Sequence, residues 1–479
     1  MKASLRSDFI FCCIFVNWTD CLLTLNFNSR SYMKTKRIAL AVLVALILGA
    51  GFYLHLLMPV ITGYAAKNLA SAVFVAGRSQ EAMEQEDLNF SFIALTNNTV
   101  DFEKREVESR FLWGKSKAIY VEGYGCTLVK DFSEEQIQSR PYPRIEVLPD
   151  GSDSIRWPMG NAIEEPVPGL IDRDKLNLAI TQAMSDTIPF KGTFALVVVY
   201  KGQPIAEVYR DDFSPNTKFL SWSMAKSVTN ALVGLRVKDG KMAIDEPLAI
   251  SEWQQDKRQD ITLSNLLQMN SGLDWNENYG NLSDVTVMLH KVGDMGLYTQ
   301  QKAYKYPADS VWMYSSGSTN LVCRELRKTF PDDQAYYAYP RQALFNRIGM
   351  TSAIFEVDAS GTFVGSSYLY ATMRDYARFA LLYLYDGNWE GDQILPKGWV
   401  DYTTETANGS EGRYGSSFWL NRSGEYPDAP DDLFLCKGHD GQFICIIPSK
   451  ELVVVRTGYS KKGEFDLNAL LKGILKSLD

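Results

Sequence analysis

The chain has 479 residues, 46% hydrophobic and 22% charged, the balance of an ordinary globular protein with room for two or three domains. A net charge of −8, a pI near 5.2 and no clustered basic stripe argue against a nucleic-acid partner. The three histidines, His55, His290 and His439, leave little scope for imidazole chemistry, because His55 sits in an apolar span.

Residues 1–32 fit no element well. Phe9 to Val16 is apolar, but Asn17, Thr19 and Asp20 interrupt it. Met33, followed by Lys34, Lys36 and Arg37, has the character of a natural start, so 1–32 reads as an over-extended beginning. Ile38 to Met58 then runs 21 residues without Asp, Glu, Lys or Arg, enough to cross a bilayer. Basic residues precede it (Arg30, Lys34, Lys36, Arg37), and the next ones are Lys67 and Arg78. The positive-inside bias predicts an uncleaved anchor over 33–60 in a bacterial inner membrane, with the following chain in the periplasm. A cleaved signal peptide is the rival, although its apolar region normally spans about 7–15 residues. The lipid bilayer is therefore an expected partner through Ile38 to Met58.

Residues 61–148 form a small segment with strand-like pieces at Ala118 to Glu122 and Cys126 to Val129, and no interpretable motif. The Pro-, Gly- and Asp-rich stretch 149–169 reads as a linker or extended arm. A helix is expected from about Asp172, with Leu176, Ile180 and Met184 at helical spacing. Thr193 to Tyr200, the Lys201-Gly202 turn and Ile205 to Tyr209 predict a β-hairpin, and Met224 to Val237 predicts a helix. Helices are also expected at Ile261 to Met269, Asn320 to Phe330 and Met373 to Tyr385. Strands return at Leu433 to Lys437, Phe443 to Pro448 and Leu452 to Arg456, before a last helix at about Asp466 to Leu478. Strands at both ends with helices inserted between them predict an α+β domain over 170–479: one sheet closed by terminal helices, plus a helical lobe. Cys436 and Cys445 flank a tight turn; two buried thiols are the preferred reading over a cross-strand disulfide.

The chemistry concentrates in Ser223-Met224-Ala225-Lys226. Residues three apart on a helix share a face, so the Lys226 amine can reach the Ser223 hydroxyl. Serine is a poor nucleophile until a base takes its proton, and a lysine serves if burial lowers its pKa. A hairpin, a polar loop and a Ser opening a helix also put the Ser223 N–H where developing negative charge is stabilised. S-x-x-K alone is a weak signal, since Ser31 to Lys34 matches it too. A Ser-His-Asp triad would have to use His290 or His439, and no G-x-S-x-G elbow occurs. Two further patches complete an acyl-transfer set. Tyr314-Ser315-Ser316 offers a proton relay, and Gly438-His439-Asp440-Gly441-Gln442 offers a glycine-bearing strand edge with a second oxyanion donor.

Ser-x-x-Lys, Tyr-Ser-Ser and a Gly-His-Asp-Gly turn, in that order, resemble the serine hydrolases that include class C β-lactamases, D-Ala-D-Ala peptidases and related esterases. Leu266 to Leu273 (LLQMNSGL) resembles that family's LLxMxSGL, and 366–400 resembles its long helix and following loop. The resemblance covers about 165–479 and is nearest the 6-aminohexanoate-dimer hydrolase type. It implies a β-lactamase/transpeptidase-like fold and an acyl-enzyme mechanism with no metal or cofactor. Ser223 would be the nucleophile, Lys226 its base and Tyr314 the proton relay, with Ser316, His439, Gly441 and Gln442 at the substrate and oxyanion site. Two departures matter: Ser316 stands where many β-lactamases have Asn, and His439-Asp440-Gly441 replaces Lys-Thr-Gly, removing the usual cationic partner of a carboxylate-bearing β-lactam. The implied activity is hydrolysis of a small amide, ester or peptide. The rivals are a D-Ala-D-Ala carboxypeptidase or weak β-lactamase, and a non-catalytic penicillin-recognising sensor.

Overall fold

The structure, a computed structural model, describes residues 29–146, 154–163, 171–185, 192–461 and 464–478. Its contacts separate Met1–Leu57 from a unit spanning Met58–Asp479. In the first, the described residues are helical, within a helix that runs Ser29–Phe74; the side chains of residues 38–50 are exposed despite being apolar. By length and composition this helix is the one candidate membrane span among the described residues.

The second unit begins inside that helix, and from Met58 onward its side chains turn inward. Lys67 and Glu356 form a buried ion pair at 2.5 Å. The same carboxylate accepts hydrogen bonds from Ser71 Oγ (2.8 Å) and the Cys126 N–H (2.7 Å). A buried charge is tolerable only when paired and hydrogen-bonded. Glu356 meets that requirement with donors from the 61–148 segment, so this segment shares its packing with the 170–479 region. The segment itself holds a four-stranded antiparallel meander: Asn97–Asp101, Glu106–Phe111, Gly114–Val121 and Gly125–Leu128.

The larger sheet has six strands, all antiparallel, in the order Trp419–Leu420, Phe434–Gly438, Gln442–Ile447, Leu452–Tyr459, Gly192–Tyr200, Gln203–Tyr209. Alternate residues of a strand point to opposite faces. Leu196, Val198, Leu452, Val454 and Cys445 accordingly pack on the terminal helices Arg173–Met184 and Leu467–Leu475. Val197, Val199, Val453, Val455, Ile444 and Ile446 face the helices Ala225–Lys238 and Met373–Leu384. Burial on both faces explains why TFALVVVY is a continuous apolar run and not an alternating one. The expected α+β arrangement is the one observed.

Several details differ from the sequence reading. Ile261 to Met269 contributes only the short helix Leu263–Leu267, because Met269 takes a left-handed φ of 64° that ends it. The helix expected from Asn320 starts at Ser316, where the Ser315 hydroxyl caps the Ser318 N–H at 3.0 Å. Within the expected linker, the described residues 154–163 are docked: Trp157 is buried and donates to the Gly202 carbonyl, and Arg378 donates to the carbonyls of Pro158 and Gly160. Cys436 and Cys445 are free and buried. Cys436 pairs with Ile444 and Cys445 with Leu435, so the two sulfurs fall on opposite faces of the sheet and no bridge can form. Most of the doubtful 1–32 extension lies outside the described residues.

Candidate active site

Ser223 is set by a sharp turn. Strand Phe219–Leu220 ends at Ser221, Trp222 takes a φ of 45°, and a 3-10 turn over Trp222–Met224 leads into the helix Ala225–Lys238. A left-handed Trp costs on the order of 1–3 kcal/mol and persists only where its surroundings enforce it. Here the Ser221 N–H donates to the Leu369 carbonyl (2.8 Å), and Trp222 is buried. The first helical hydrogen bonds come from the N–H groups of Met224 and Ala225, which leaves the Ser223 N–H ahead of them at the open helix end. The helix is buried from Ala225 through Arg236, so the residues at its start are rigidly held.

Lys226 lies one turn inside and is buried. Its Nζ donates to Ser223 Oγ, Ser316 Oγ and the Ser366 carbonyl, each at 3.0 Å. Burial lowers its pKa from the ordinary lysine value to about 8, against the opposing pull of Glu277 and Cys323. At neutral pH roughly one such amine in ten is unprotonated, a useful general-base population. Tyr314 behaves oppositely. Its ring lies 4.9 Å from Nζ, and burial followed by Glu277 pushes its pKa well above the ordinary tyrosine value, with only a hydrogen bond to Ser223 acting the other way. Tyr314 is therefore a protonated phenol beside the serine, able to hand on a proton but not to act as the resting base.

Glu277 is the site residue that sequence reasoning missed. Its carboxylate accepts from the Ser316 hydroxyl (2.5 Å), the Ser316 N–H (2.9 Å) and the Trp275 indole (2.5 Å). Ser316 consequently links Glu277 to Lys226 and is fully buried, so its hydroxyl is spent on this chain of contacts. The only sequence hint was a carboxylate just beyond LLQMNSGL; its partner lies 39 residues away, beyond the reach of local pattern. That LLQMNSGL stretch has a visible task. The Met269 carbonyl accepts from the Met313 N–H (2.8 Å), Asn270 donates to Asp309 (2.7 Å), and the Gly272 carbonyl accepts from Lys305 and Tyr306. It thus holds the loop that carries Tyr314.

The third patch lies against the turn that carries Ser223. Gly438 passes so close to Ser221 that an added Cβ would lie 2.4 Å from the Ser221 carbonyl oxygen. His439 is exposed, stacks on Tyr279 with ring centroids 4.7 Å apart, and meets Trp222 edge-on at 5.4 Å. Gly441 has a φ of 81°, and its carbonyl accepts from Arg456. The Gln442 side chain is buried and bonded to the Gly458 carbonyl and N–H, so it braces the turn and leaves only backbone to offer. Ser223, Lys226, Tyr314 and Ser316 are joined by direct contacts; His439 adjoins them through Trp222, while Gly441 and Gln442 shape the turn. His290 is elsewhere in its contacts, buried against Tyr64 and held neutral by burial, which takes its pKa to about 3. Trp419 and Tyr414 flank Tyr314 at 5.4 and 5.8 Å. Lys437, two residues before His439, is occupied by Glu425 and the Tyr426 hydroxyl.

The sequence profile described as β-lactamase matches residues 191–473, more than half of the chain. The chain belongs to the β-lactamase family. It is a serine hydrolase of that family, and its sequence is 23% identical over 275 residues to the 6-aminohexanoate-dimer hydrolase of Paenarthrobacter ureafaciens, covering 53% of this chain and 67% of that one. Its fold is similar to that of a Bacteroides dorei protein assigned as a β-lactamase (TM-score 0.53, 16% identity, 64% of this chain and 99% of that one). It is also similar to a penicillin-binding protein homologue from Caulobacter crescentus (TM-score 0.50, 14% identity, 66% and 99%).

Proposed function

We propose that this family member is a membrane-anchored hydrolase of small amides or esters, working through an acyl-enzyme on Ser223. Neutral Lys226 takes the Ser223 proton as the oxygen attacks the substrate carbonyl. The tetrahedral oxyanion is received by the Ser223 N–H and a backbone N–H of the His439 to Gln442 turn. Tyr314 relays a proton to the departing amine or alkoxide, which leaves an ester on Ser223. Water then attacks that ester, giving its proton to the same base system and releasing the acid. The observation that carries this reading is a buried lysine, its pKa near 8, hydrogen-bonded at 3.0 Å to the serine.

The substrate class is supported by the aromatic surroundings of Tyr314 and His439 (Trp419 and Tyr279) and by the engagement of Lys437 with Glu425. The likeness to a Paenarthrobacter enzyme named for hydrolysing a 6-aminohexanoate dimer supports it too. A substrate neutral around its scissile bond, including a peptidoglycan-derived one, suits these surroundings better than a carboxylate-bearing β-lactam. Anchoring through Ile38 to Met58, with the hydrolase on the periplasmic face of a bacterial inner membrane, is supported by the apolar helix and the basic residues before it.

Labelling of the full-length protein with a fluorescent fluorophosphonate tests the assignment. The expected result is strong labelling of the native protein and none of Ser223→Ala; labelling that persists in Ser223→Ala refutes it. Steady release of product from a small ester, beyond one equivalent, distinguishes a hydrolase from a slowly deacylating sensor.

A further inference from the structure

The 61–148 segment has an exposed apolar edge that the chemistry does not use. The hairpin between strands Glu106–Phe111 and Gly114–Val121 reads Arg110-Phe111-Leu112-Trp113-Gly114-Lys115. At its tip Leu112 is 64% exposed and Trp113 57% exposed. Leu95, 63% exposed, enters the neighbouring strand, where Asn97 pairs with Arg110. Phe92 packs on Phe111 with centroids 6.0 Å apart. Exposed apolar clusters of this kind mark interaction surfaces.

The fold says what lies against it. Strand Gly114–Val121 runs alongside the helix from Met58 to Phe74, in the same direction. A Cβ at Gly114 would sit 2.8 Å from the Met58 Cβ. Thr62 and Ser116 hydroxyls hydrogen-bond at 2.8 Å, and the Phe74 and Tyr120 rings lie 6.2 Å apart. Four helical residues and two strand residues each advance about 6 Å, so the register is consistent. The hairpin tip is thereby held next to Met58, the last residue of the apolar stretch Ile38 to Met58. Its composition suits that place: a Trp and two Leu side chains, flanked by Arg110 and Lys115, which share Glu108 and leave one net positive charge. Phe102 is 69% exposed as well, but it packs on Phe74, about 24 Å further along the helix.

We infer that the Leu112-Trp113 hairpin tip, with Leu95 and Phe92, is a second membrane contact that inserts into the bilayer interface. This inference rests on the reading of Ile38 to Met58 as a membrane span. Its partner is the phospholipid bilayer itself.

The test uses the full chain reconstituted in phosphatidylethanolamine/phosphatidylglycerol vesicles, with Cys12, Cys13 and Cys21 replaced by serine. A single cysteine is introduced by Leu112→Cys, Phe102→Cys or Leu48→Cys and labelled with the environment-sensitive dye NBD. Spin-labelled lipids carrying the nitroxide near the headgroup are then added. The dye at position 112 should emit at shorter wavelength and lose more than half its emission, the dye at 102 should be almost unaffected, and the dye at 48 should be quenched by mid-chain nitroxides. Quenching at 48 with none at 112 overturns the docking surface and leaves the anchor intact; no quenching at 48 overturns the anchor and the docking surface together. Equal quenching at 102 and 112 also overturns the inference, because it denies the hairpin its place next to Met58. Charge at the tip gives a second reading: Leu112→Asp with Trp113→Asp should abolish the 58-proximal contact, seen as protease accessibility of the hairpin in vesicles, with ester hydrolysis unchanged.

Discussion

Glu277→Gln removes a negative charge that reaches Lys226 through one hydroxyl, and its effect on the pH profile can be worked out. The Nζ to Ser316 contact is 3.0 Å and the Ser316 to Glu277 contact 2.5 Å. The two contacts in series keep the charges within about 5.5 Å, where at an effective dielectric near 20 they interact by roughly 3 kcal/mol, and the partial exposure of Glu277 reduces this to about 1.5 kcal/mol, close to one pKa unit. Glu277 raises the pKa of Lys226, so its removal lowers that pKa further. Glutamine keeps one acceptor oxygen for the Ser316 N–H and the Trp275 indole, while its amide NH2 takes the place of the oxygen that accepted from the Ser316 hydroxyl, which then turns to accept. The kcat/KM for a small ester should therefore rise with pH through about 8 in the native enzyme. In Glu277→Gln the same limb should lie about one unit lower, with the two profiles converging at alkaline pH. Rates of fluorophosphonate labelling should follow the same curves, because both report the free enzyme. A limb that stays in place, or moves to higher pH, would refute the claim that Lys226 is the titrating base under the control of Glu277.

Lys226→Met should abolish ester hydrolysis yet stabilise the fold. The folded-state pKa of about 8 lies below the ordinary 10.5, so the burial penalty is full below about 8 and disappears as pH passes 10.5. The gain at neutral pH is at most about 3 kcal/mol, less the loss at acceptors left unpaired, and urea denaturation at pH 7 and at alkaline pH checks it. Tyr314→Phe should slow turnover of amides more than of activated esters, because a poor leaving group needs the relayed proton; equal losses in steady-state assays on the two would argue against a relay. His290→Leu should leave catalysis unchanged and lessen acid lability: the folded pKa of about 3 lies below the ordinary 6.5, so the native protein loses stability as pH falls through 6.5 toward 3. A large activity loss in that variant would revive a histidine triad. Gly63→Ala places a Cβ 2.2 Å from the His290 carbonyl oxygen and should destabilise the Met58–Asp479 unit by about 1–3 kcal/mol, read as a lower Tm; an unchanged Tm would mean that the helix is not packed there.

What the sequence determined by itself is whatever depends on residues close in the chain. Ser223 and Lys226 are three apart, and a helix brings them together wherever it is placed. The hairpin from Gly192 to Tyr209, the buried strands near the C-terminus and the apolar span at Ile38 to Met58 were equally legible, because period and composition are local properties. The β-lactamase-like order of motifs followed from the same short patterns. Only the tertiary structure decided how the motifs are used. Ser316 became a link between Glu277 and Lys226, Gln442 became a brace, and LLQMNSGL became the clamp of the Tyr314 loop. The pKa near 8 on which the proposed base role of Lys226 rests also belongs to the fold, since it comes from burial beside Ser316 and Ser366, 90 and 140 residues away. The role of 61–148 was invisible for the same reason. Its strands carry no motif, and only the shared carboxylate of Glu356 and the close approach of Gly114 to Met58 tie it to the rest of the Met58–Asp479 unit. Local pattern specifies which groups exist; desolvation and charge, which depend on distance in space, decide what those groups can do.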